Sequence, residues 1–264
     1  MRIYATDYDG TVTYRGVTPE LHAAIAEWRA RGNLFGVVTG RPYLSILRVI
    51  EREKLSVDFV VANNGAVIVT YEGGETHYRS VLAMQAETAL ALLRHFAPEE
   101  HHFCRIDSKY VYVNYASIPA ASVVDGKLTV YETTYPEVTE ITVDYPNLEA
   151  STAGAAAVSD KFAYELRAVP PGSQSIDCMV KEAFKSTGIK RLIELLGVHP
   201  TAVYTTGDSP NDLDMLTYPD FEGYAVENAL PVVRETVGRV VADPLTLLTR
   251  LLSEPDEPQA PAEQ

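Results

Sequence analysis

The sequence predicts an α/β protein: a doubly wound, Rossmann-like parallel sheet into which an α+β domain is inserted. Three observations support this fold class. Short apolar runs alternate with amphipathic helical segments from Ile3 to Ala62, and the same alternation returns after Lys185. Between these two stretches, paired strand patterns replace the alternation. Strands that alternate with helices indicate parallel βαβ units, whereas consecutive strands indicate hairpins.

The first strand is predicted at Ile3 to Ala5 and runs directly into Asp7, Asp9 and Gly10. Its apolar run is too short for a helix and is typical of a buried strand in a parallel sheet. Gly10 permits a tight exit from the strand. Taken alone, these residues are explained equally well by an ordinary turn or by paired acids. Paired acids would bind a divalent metal, or one of them would act as a nucleophile and the other as a general acid.

Two further strand–helix units are predicted before residue 67. A helix begins at Thr18, which is an N-cap residue followed by proline, and it ends at Gly32. The second strand ends at Thr39-Gly40-Arg41 and the third at Asn63-Asn64-Gly65. Each of these two loops also has a purely structural interpretation, as a strand-to-helix turn and as a type I′ turn.

The inserted domain is predicted to cover residues 67–182. Hairpins are predicted at residues 67–79 and 103–115, a helix lies between them, and residues 121–157 show no clear pattern. Several aromatic and histidine side chains could contact a substrate, although packing of one strand face explains them more simply. These residues are His101, His102, Tyr110, Tyr112 and Tyr115. Tyr164 and Arg167 are open to both interpretations.

The second half of the sheet is predicted over residues 183–252. One strand, at 202–206, runs into Gly207-Asp208-Ser209-Pro210-Asn211-Asp212. This loop is denser in polar residues than a turn requires, which favours a functional site. The tail, residues 253–264, contains three prolines and four acids, and we predict that it is disordered.

Polar residues thus follow four strands of the predicted sheet. They are Asp7 with Asp9, Thr39, Asn63 with Asn64, and Asp208 with Asp212. Parallel strands bring their carboxyl ends to one edge, where the sites of open α/β sheets form. Lys185, which by itself would be a solvated helix residue, precedes the fourth group. Because chance does not easily produce this order, we expect one site.

Composition and net charge limit the classes of binding partner that this protein is expected to have. The formal net charge of −14 argues against non-specific binding to nucleic acid or to an anionic membrane, so a phosphate site must be a local positive patch. Cys104 and Cys178 have no paired spacing, which fits a reducing compartment. There is no apolar run of 18 residues, so we expect neither a membrane span nor a signal peptide, and we predict a cytoplasmic protein.

These motifs resemble those of the haloacid dehalogenase-like (HAD) superfamily. Asp7-Tyr8-Asp9-Gly10-Thr11 is similar to its first motif and Thr39-Gly40-Arg41 to its second. Lys185 is similar to the third motif and residues 207–212 to the fourth. Asn-Gly-Ala at 64–66 and the long insertion resemble the Cof-type phosphatases, whose insertion is an α+β cap. One departure is Glu227, since the family often has glycine before the Asn-Ala that follows.

The resemblance implies a phosphatase that hydrolyses a small phosphorylated metabolite, most simply a sugar phosphate, through an aspartyl phosphate. Asp7 would be the nucleophile and Asp9 the general acid and base. The resemblance also implies Mg²⁺ as cofactor, held by Asp7, Asp9 (through its main-chain carbonyl), Asp208 and Asp212. The expected phosphate-binding residues are Thr39, Gly40, Lys185 and Asn211. Arg41 and Asn64 are candidate substrate contacts, and a contact between the two domains explains them equally well.

Two alternatives remain at this level. A phosphosugar mutase or phosphotransferase of the phosphomannomutase type would share the motifs, and its need for a bisphosphate activator would distinguish it. A non-catalytic phosphate- or metal-binding regulatory protein is disfavoured because Asp9 and Lys185 are both present. An acid at position 9 favours phosphoryl transfer over carbon–halogen cleavage, since a halide leaves without a proton.

Overall fold

The structure, a computed structural model, describes residues 1–73, 75–98, 103–108, 111–163, 165–169 and 174–254. The core strands are β1 (Ile3–Thr6), β2 (Leu34–Val38), β3 (Phe59–Ala62), β4 (Val67–Glu72), β5 (Glu75–Val81), β14 (Val203–Gly207), β15 (Glu222–Val226) and β16 (Val240–Val241). The strands that follow β5 and precede β14 in the sequence are β6 (Cys104–Ser108), β7 (Tyr112–Tyr115), β8 (Ala121–Val124), β9 (Lys127–Val130), β10 (Thr133–Tyr135), β11 (Val138–Asp144), β12 (Leu166–Val169) and β13 (Ser175–Val180).

The helices lie between these strands. They are α1 (Thr13–Arg15), α2 (Pro19–Ala30), α3 (Tyr43–Glu53), α4 (Ala86–Phe96), α5 (Leu148–Lys161), α6 (Lys185–Leu196), α7 (Leu213–Leu216), α8 (Pro231–Val237) and α9 (Pro244–Ser253). The predicted cap of α2 is confirmed, because the Thr18 hydroxyl accepts a hydrogen bond from the Leu21 N–H at 3.2 Å.

The predicted doubly wound sheet is confirmed. Its strand order is β16-β15-β14-β1-β2-β3-β4-β5, and every pair from β16 to β3 is parallel. The order changes direction at β1, which is the topological switch point of such a sheet. Because the strands are parallel, the loops after β1, β2, β3 and β14 leave the sheet at the same edge.

Aromatic packing holds β1 in the middle of this sheet. Tyr4 on β1 meets Phe35 on β2 edge to face at 5.6 Å and Trp28 on α2 at 6.4 Å between ring centroids. All three side chains are fully buried. Large buried rings contribute heavily to core stability, so this cluster fixes the strand that ends at Asp7.

The hairpin β4–β5 differs from the prediction. We assigned residues 67–79 to the inserted domain, but β4 pairs antiparallel with β3 and so extends the core sheet. The reason is the tight reversal after β3, where Asn63, Asn64 and Gly65 all have positive φ angles, of 49°, 51° and 105°. Asparagine and glycine tolerate this region best. The division into two domains stays a prediction, with its first boundary better drawn after Val81.

The segment between β5 and α6 forms two smaller sheets. A five-stranded sheet has the order β12-β13-β11-β6-β7, and β8, β9 and β10 form a three-stranded sheet. Helix α4 contacts β8, β9 and β11, and α5 contacts β12 and β13. The predicted hairpin at 103–115 is confirmed by the antiparallel pairing of β6 with β7. The unassigned residues 121–157 contain three short strands, β8 to β10, followed by β11 and the first part of α5, whose many alanines obscure a helical pattern of large apolar residues.

Among the residues that the structure describes, no helix combines the length and the apolar character needed to cross a membrane. Of the predicted disordered tail, Ser253 closes α9. Residues 255–264 lie outside the described residues.

Candidate active site

The first motif forms the turn that follows β1. The Asp7 N–H donates to the Thr206 carbonyl at 2.8 Å, which extends the pairing of β1 with β14 up to the motif. The Asp7 side chain is buried, whereas Asp9 is exposed. Gly10 has a φ of +75°, and a Cβ there would lie 2.4 Å from Asp208 Oδ2. Glycine is therefore required both by the backbone angle and by the carboxylate beside it.

We expect Gly10→Ala to weaken divalent-metal binding about tenfold or more and to lower the free energy of unfolding by about 1–2 kcal/mol. Gly238→Ala is the matched control, because Gly238 has φ and ψ angles of 71° and −19°, close to the 75° and −18° of Gly10, and a Cβ placed there would have no described atom within 4 Å. Both variants carry the same backbone strain, and only Gly10→Ala displaces Asp208. Calorimetric Mg²⁺ titration compares them, and equal metal affinities would contradict the prediction.

Lys185 is a buried lysine at the start of α6. Its Nζ donates to Asp7 Oδ1 at 2.7 Å and to Asp212 Oδ1 at 2.5 Å. Burial lowers the lysine pKa, but the Asp212 and Asp7 carboxylates outweigh burial and raise it. The ammonium group therefore stays charged. The Ser186 N–H donates to Asp214 Oδ2 at 2.7 Å, which anchors the helix start that carries Lys185.

The fourth motif folds around the Asp212 side chain. Asp212 Oδ2 accepts hydrogen bonds from the Asp208 and Ser209 N–H groups, both at 3.0 Å. Asp208 in turn accepts from the Thr11 hydroxyl at 2.9 Å and from the Ser209 hydroxyl at 2.9 Å. The polar side chains of this loop thus hold its backbone by hydrogen bonds within the loop, and Asp208 connects the loop to Thr11 of the first motif.

Three carboxylates form a candidate metal centre. Oxygen atoms of Asp7, Asp208 and Asp212 lie within 4.8 Å of one another. Burial raises the pKa of Asp7 well above its usual value, against the lowering effect of Lys185, and burial also raises the pKa of Asp208. A cation would relieve this crowding of charge, and an all-oxygen donor set suits a hard divalent ion. The described residues therefore fit a metal. A contribution from the Asp9 carbonyl stays a prediction.

Asp9 is engaged by the second motif. Arg41 donates to its two carboxylate oxygens from Nε at 2.6 Å and from a terminal nitrogen at 2.5 Å. Such two-point pairs are the stronger form of arginine–carboxylate contact. A role for Asp9 in proton transfer thus requires its carboxylate to leave Arg41.

The other predicted phosphate and substrate residues lie in the same region. The Thr39 hydroxyl accepts from the Arg41 N–H at 3.1 Å, and the Thr39 carbonyl accepts from the Asn64 N–H at 3.0 Å. Gly40 packs on Asn64, since a Cβ on Gly40 would lie 3.2 Å from that amide. Asn211 donates to Asn64 Oδ1 at 3.4 Å. The structure thus pairs Asn211 with Asn64, while Asp212 holds Lys185.

A cavity of about 390 Å³ opens over these residues and is closed on its far side by the five-stranded sheet. Its core wall includes Asp7, Asp9, Thr39, Gly40, Arg41 and Asn211. Its far wall consists of Arg105, Tyr112, Thr142, Ser175 and Asp177. Of these five, the sequence pattern points only to Tyr112, for which packing of one strand face is the simpler explanation. Charged residues alternating with apolar ones in β6 were the signal that could have located this wall.

Of the other residues in the inserted segment that the sequence offered as substrate contacts, those that the structure describes contact other parts of the protein. The Tyr115 and Tyr135 hydroxyls lie 2.6 Å apart. Arg167 donates to the Ala183 carbonyl, and its guanidinium lies 3.7 Å from the centre of the Phe184 ring, next to Lys185. His101, His102, Tyr110 and Tyr164 lie outside the described residues.

The departure at Glu227 has a local explanation. Its carboxylate accepts from Arg15 at 2.6 Å and from the Tyr14 hydroxyl at 3.1 Å. The neighbouring Asn228 side chain donates to the Gly10 carbonyl at 2.7 Å. The loop after β15 is therefore attached to the segment that follows the first motif, and the glutamate adds an ion pair to that attachment.

Asp107, which lies two residues after Arg105 on the same face of β6, gives a pH-dependent prediction. Burial raises the pKa of its carboxyl to about 7, against the lowering effect of Arg105. Between about pH 4 and pH 7 the unfolded state therefore releases this proton while the folded state retains it, so this group makes stability fall as pH rises. We expect Asp107→Asn to gain stability relative to wild type across that window.

Denaturant unfolding at pH 4, 5.5 and 7 measures this difference. The exposed Asp125, in the β8–β9 turn, supplies the control Asp125→Asn. A difference between Asp107→Asn and wild type that stays constant from pH 4 to pH 7 would contradict the prediction.

The fold and this arrangement of motifs define a class, which comparison with known proteins confirms. The family model for haloacid dehalogenase-like hydrolases matches residues 4–243. The chain therefore belongs to the haloacid dehalogenase-like hydrolases, and the predicted superfamily is correct.

The relatives carry phosphatase names. YxeH from Bacillus subtilis (strain 168), which its name assigns provisionally to the phosphatases, is 27% identical over 250 residues, covering 89% of this chain and 90% of YxeH. The 5-amino-6-(5-phospho-D-ribitylamino)uracil phosphatase YbjI from Escherichia coli (strain K12) is 25% identical over 246 residues, covering 87% of this chain and 86% of YbjI.

Solved structures show the same fold. A haloacid dehalogenase-like hydrolase from B. subtilis superposes with a TM-score of 0.76 at 19% identity, covering 96% of this chain and 99% of the other. The HAD subclass IIB sugar phosphatase BT4131 superposes with a TM-score of 0.69 at 20% identity, covering 95% and 98%. Both similarities extend over the cap as well as the core.

Proposed function

We propose that this protein is a Mg²⁺-dependent phosphatase that hydrolyses a small phosphorylated metabolite, most simply a sugar phosphate, through an aspartyl phosphate on Asp7. The observation that carries the proposal is the contact of Lys185 with both Asp7 and Asp212 inside a cluster of three carboxylates. Family membership and the phosphatase names of the relatives agree with it.

Asp7 is the proposed nucleophile. Phosphoryl transfer needs an in-line attacking group and donors that neutralise the charge on phosphorus. Asp7 lines the cavity, and although burial raises the pKa of its carboxyl, the neighbouring Lys185 ammonium and a bound cation would both favour the ionised form. Its oxygen would bond to phosphorus as the bond from phosphorus to the leaving alkoxide breaks. The Lys185 ammonium would balance the added negative charge.

Asp9 is the proposed acid and base. It would donate a proton to the leaving alcohol and then take one from the water that attacks the aspartyl phosphate, releasing phosphate and free Asp7. Its position on the cavity wall supports this role. Its pairing with Arg41 means that substrate must replace the arginine contact first, and a phosphate oxygen is a suitable new partner for Arg41.

Thr39, Gly40 and Asn211, which line the same wall, are the proposed phosphate-binding donors. Asp7, Asp208 and Asp212 would hold Mg²⁺. When bound, the ion would neutralise negative charge on the phosphoryl group and help to orient it. The five-stranded sheet across the cavity would exclude bulk water and contact the leaving group.

Hydrolysis of an aryl phosphate tests the proposal. We expect phosphate release by the wild-type protein that is removed by a chelator and restored by Mg²⁺. Asp208→Asn should need at least tenfold more Mg²⁺ for half-maximal activity, because it removes one charge from the carboxylate cluster. Asp220→Asn, at an exposed aspartate of the same half of the chain, is the control with the same change in charge.

Phosphate release that does not depend on a divalent ion, or its absence with every ester tried, would overturn the proposal. Hydrolysis only after addition of a sugar bisphosphate would instead indicate the mutase reaction.

A further inference from the structure

Arg105 lies at the centre of a charged cluster in the five-stranded sheet. It donates to Asp107 Oδ2 at 2.9 Å, to Glu140 Oε1 at 2.8 Å and to the Thr142 hydroxyl at 2.6 Å. A nitrogen of the same guanidinium lies 3.7 Å from Asp177 Oδ1. We call Arg105, Asp107, Glu140, Thr142 and Asp177 the cap cluster.

The sheet itself assembles this cluster. Thr142 on β11 stands opposite Arg105 on β6 and Asp177 on β13, and Glu140 stands opposite Asp107. Successive residues of a strand point to opposite faces. The residues between them, Ile106, Ile141 and Ile176, are fully buried on the apolar face. The cap cluster is therefore the polar face of three adjacent strands.

The cap cluster holds more acids than bases. Three carboxylates surround one guanidinium, and Asp107 Oδ1 and Glu140 Oε2 are buried without a hydrogen-bond partner among the described residues. Burial raises the pKa of both Glu140 and Asp177. Arg105 is thus already engaged by the carboxyl groups around it, and a buried site that disfavours the ionised form of its own acids resists any further negative charge.

Part of the cap cluster faces the substrate cavity. Arg105, Thr142 and Asp177 line it, on the wall across from Asp9 and Arg41. A phosphate ester bound at Asp7 would therefore extend its leaving group toward these three side chains. The Thr142 hydroxyl already donates to Asp177 Oδ1 at 2.8 Å, so this wall offers hydrogen-bond donors from the guanidinium and an acceptor from the Asp177 carboxylate.

We propose that the cap cluster selects phosphate esters whose leaving group carries neutral hydroxyl groups at its far end and rejects esters with a second anionic group there. This inference rests on the proposed function, since it assumes that the ester's phosphate binds at Asp7. Hydroxyl groups satisfy the exposed donors and acceptor together. A carboxylate or second phosphate would lie beside Asp177 with no uncompensated cation to receive it.

Two esters that differ only at the far end test the proposal. Sorbitol 6-phosphate and 6-phosphogluconate share a six-carbon chain, and the first carbon is a hydroxymethyl group in one and a carboxylate in the other. Binding is measured by calorimetry with Mg²⁺ and Asp7→Asn protein, which removes the nucleophile and so separates binding from turnover. We expect sorbitol 6-phosphate to bind at least tenfold more tightly.

Second substitutions in the Asp7→Asn protein locate the selectivity. Asp177→Asn should reduce the preference to threefold or less, chiefly through tighter binding of 6-phosphogluconate, because it removes the carboxylate that faces the cavity. Asp125→Asn makes the same change of charge at an exposed cap position and should leave the preference unchanged.

Equal binding of the two esters, tighter binding of 6-phosphogluconate, or binding of neither would overturn the inference. So would an equal effect of Asp177→Asn and Asp125→Asn. If wild-type protein hydrolyses aryl phosphate but shows no preference, this inference fails and the proposed function stands. If the binding preference is found but no ester is hydrolysed, the proposed function fails alone.

Discussion

Asp7→Asn is expected to lower kcat for every phosphate ester by at least about 10⁴-fold, a loss typical of removing a covalent nucleophile. Asparagine preserves the size of the side chain, and its carbonyl oxygen still accepts a hydrogen bond from Lys185, whose Nζ lies 2.7 Å from Asp7 Oδ1. The fold and the cavity should therefore survive. An amide oxygen is too weak a nucleophile to form the phosphoenzyme, so turnover is lost while binding remains.

Steady-state kinetics and phosphate binding, measured on the same preparation, test this expectation. Circular dichroism and thermal unfolding show whether the variant is folded. Asp220→Asn controls for the loss of one negative charge on the core surface. A folded Asp7→Asn protein with more than about 0.01 per cent of wild-type kcat would contradict the assignment of Asp7 as nucleophile.

Asp9→Asn is expected to lower kcat by about 10²- to 10⁴-fold, the usual contribution of general acid–base catalysis. The loss should be larger for an alkyl phosphate than for an aryl phosphate in the first step, because a phenolate leaves without a proton more easily than an alkoxide does. The second step needs the base for both esters. An aryl phosphate should therefore give a burst of phenol release followed by slow turnover.

Rapid-mixing kinetics with the two kinds of ester measure both steps. Asp9→Asn also replaces the Arg41 ion pair, so phosphate affinity is measured in parallel. Equal losses for alkyl and aryl esters with no burst would indicate that Asp9 acts only by positioning Arg41.

The sequence was sufficient for the parts of the fold that depend on local pattern. The strand ends at Asp7, Thr39 and Asp208 were visible because an apolar run stops at a polar loop, and parallel pairing then brings them together. The role of Lys185 was implied by its place among the motifs and by the family resemblance, because nothing local distinguishes a buried lysine from a solvated one. Its burial depends on Asp7 and Asp212, which are distant in the chain.

The placement of one hairpin and the composition of the far wall of the cavity depend on strand pairing, which cannot be read from the sequence. The hairpin β4–β5 has the same alternating pattern whether it joins the core sheet or the inserted domain, and only its pairing with β3 decides. The far wall of the cavity combines Arg105, Thr142 and Asp177 from three strands. Their register brings them together, and register follows from the whole sheet rather than from any one segment.

Trapping the phosphoenzyme tests the central claim most directly. Asp9→Asn protein is mixed with Mg²⁺ and an aryl phosphate, quenched in acid within the burst, and digested for mass spectrometry. We predict one added phosphoryl group on Asp7, removed by hydroxylamine as an acyl phosphate requires, and no such group in the Asp7→Asn/Asp9→Asn double variant. A phosphoryl group on another residue, or none on Asp7 while phenol is released in a burst, would contradict the account.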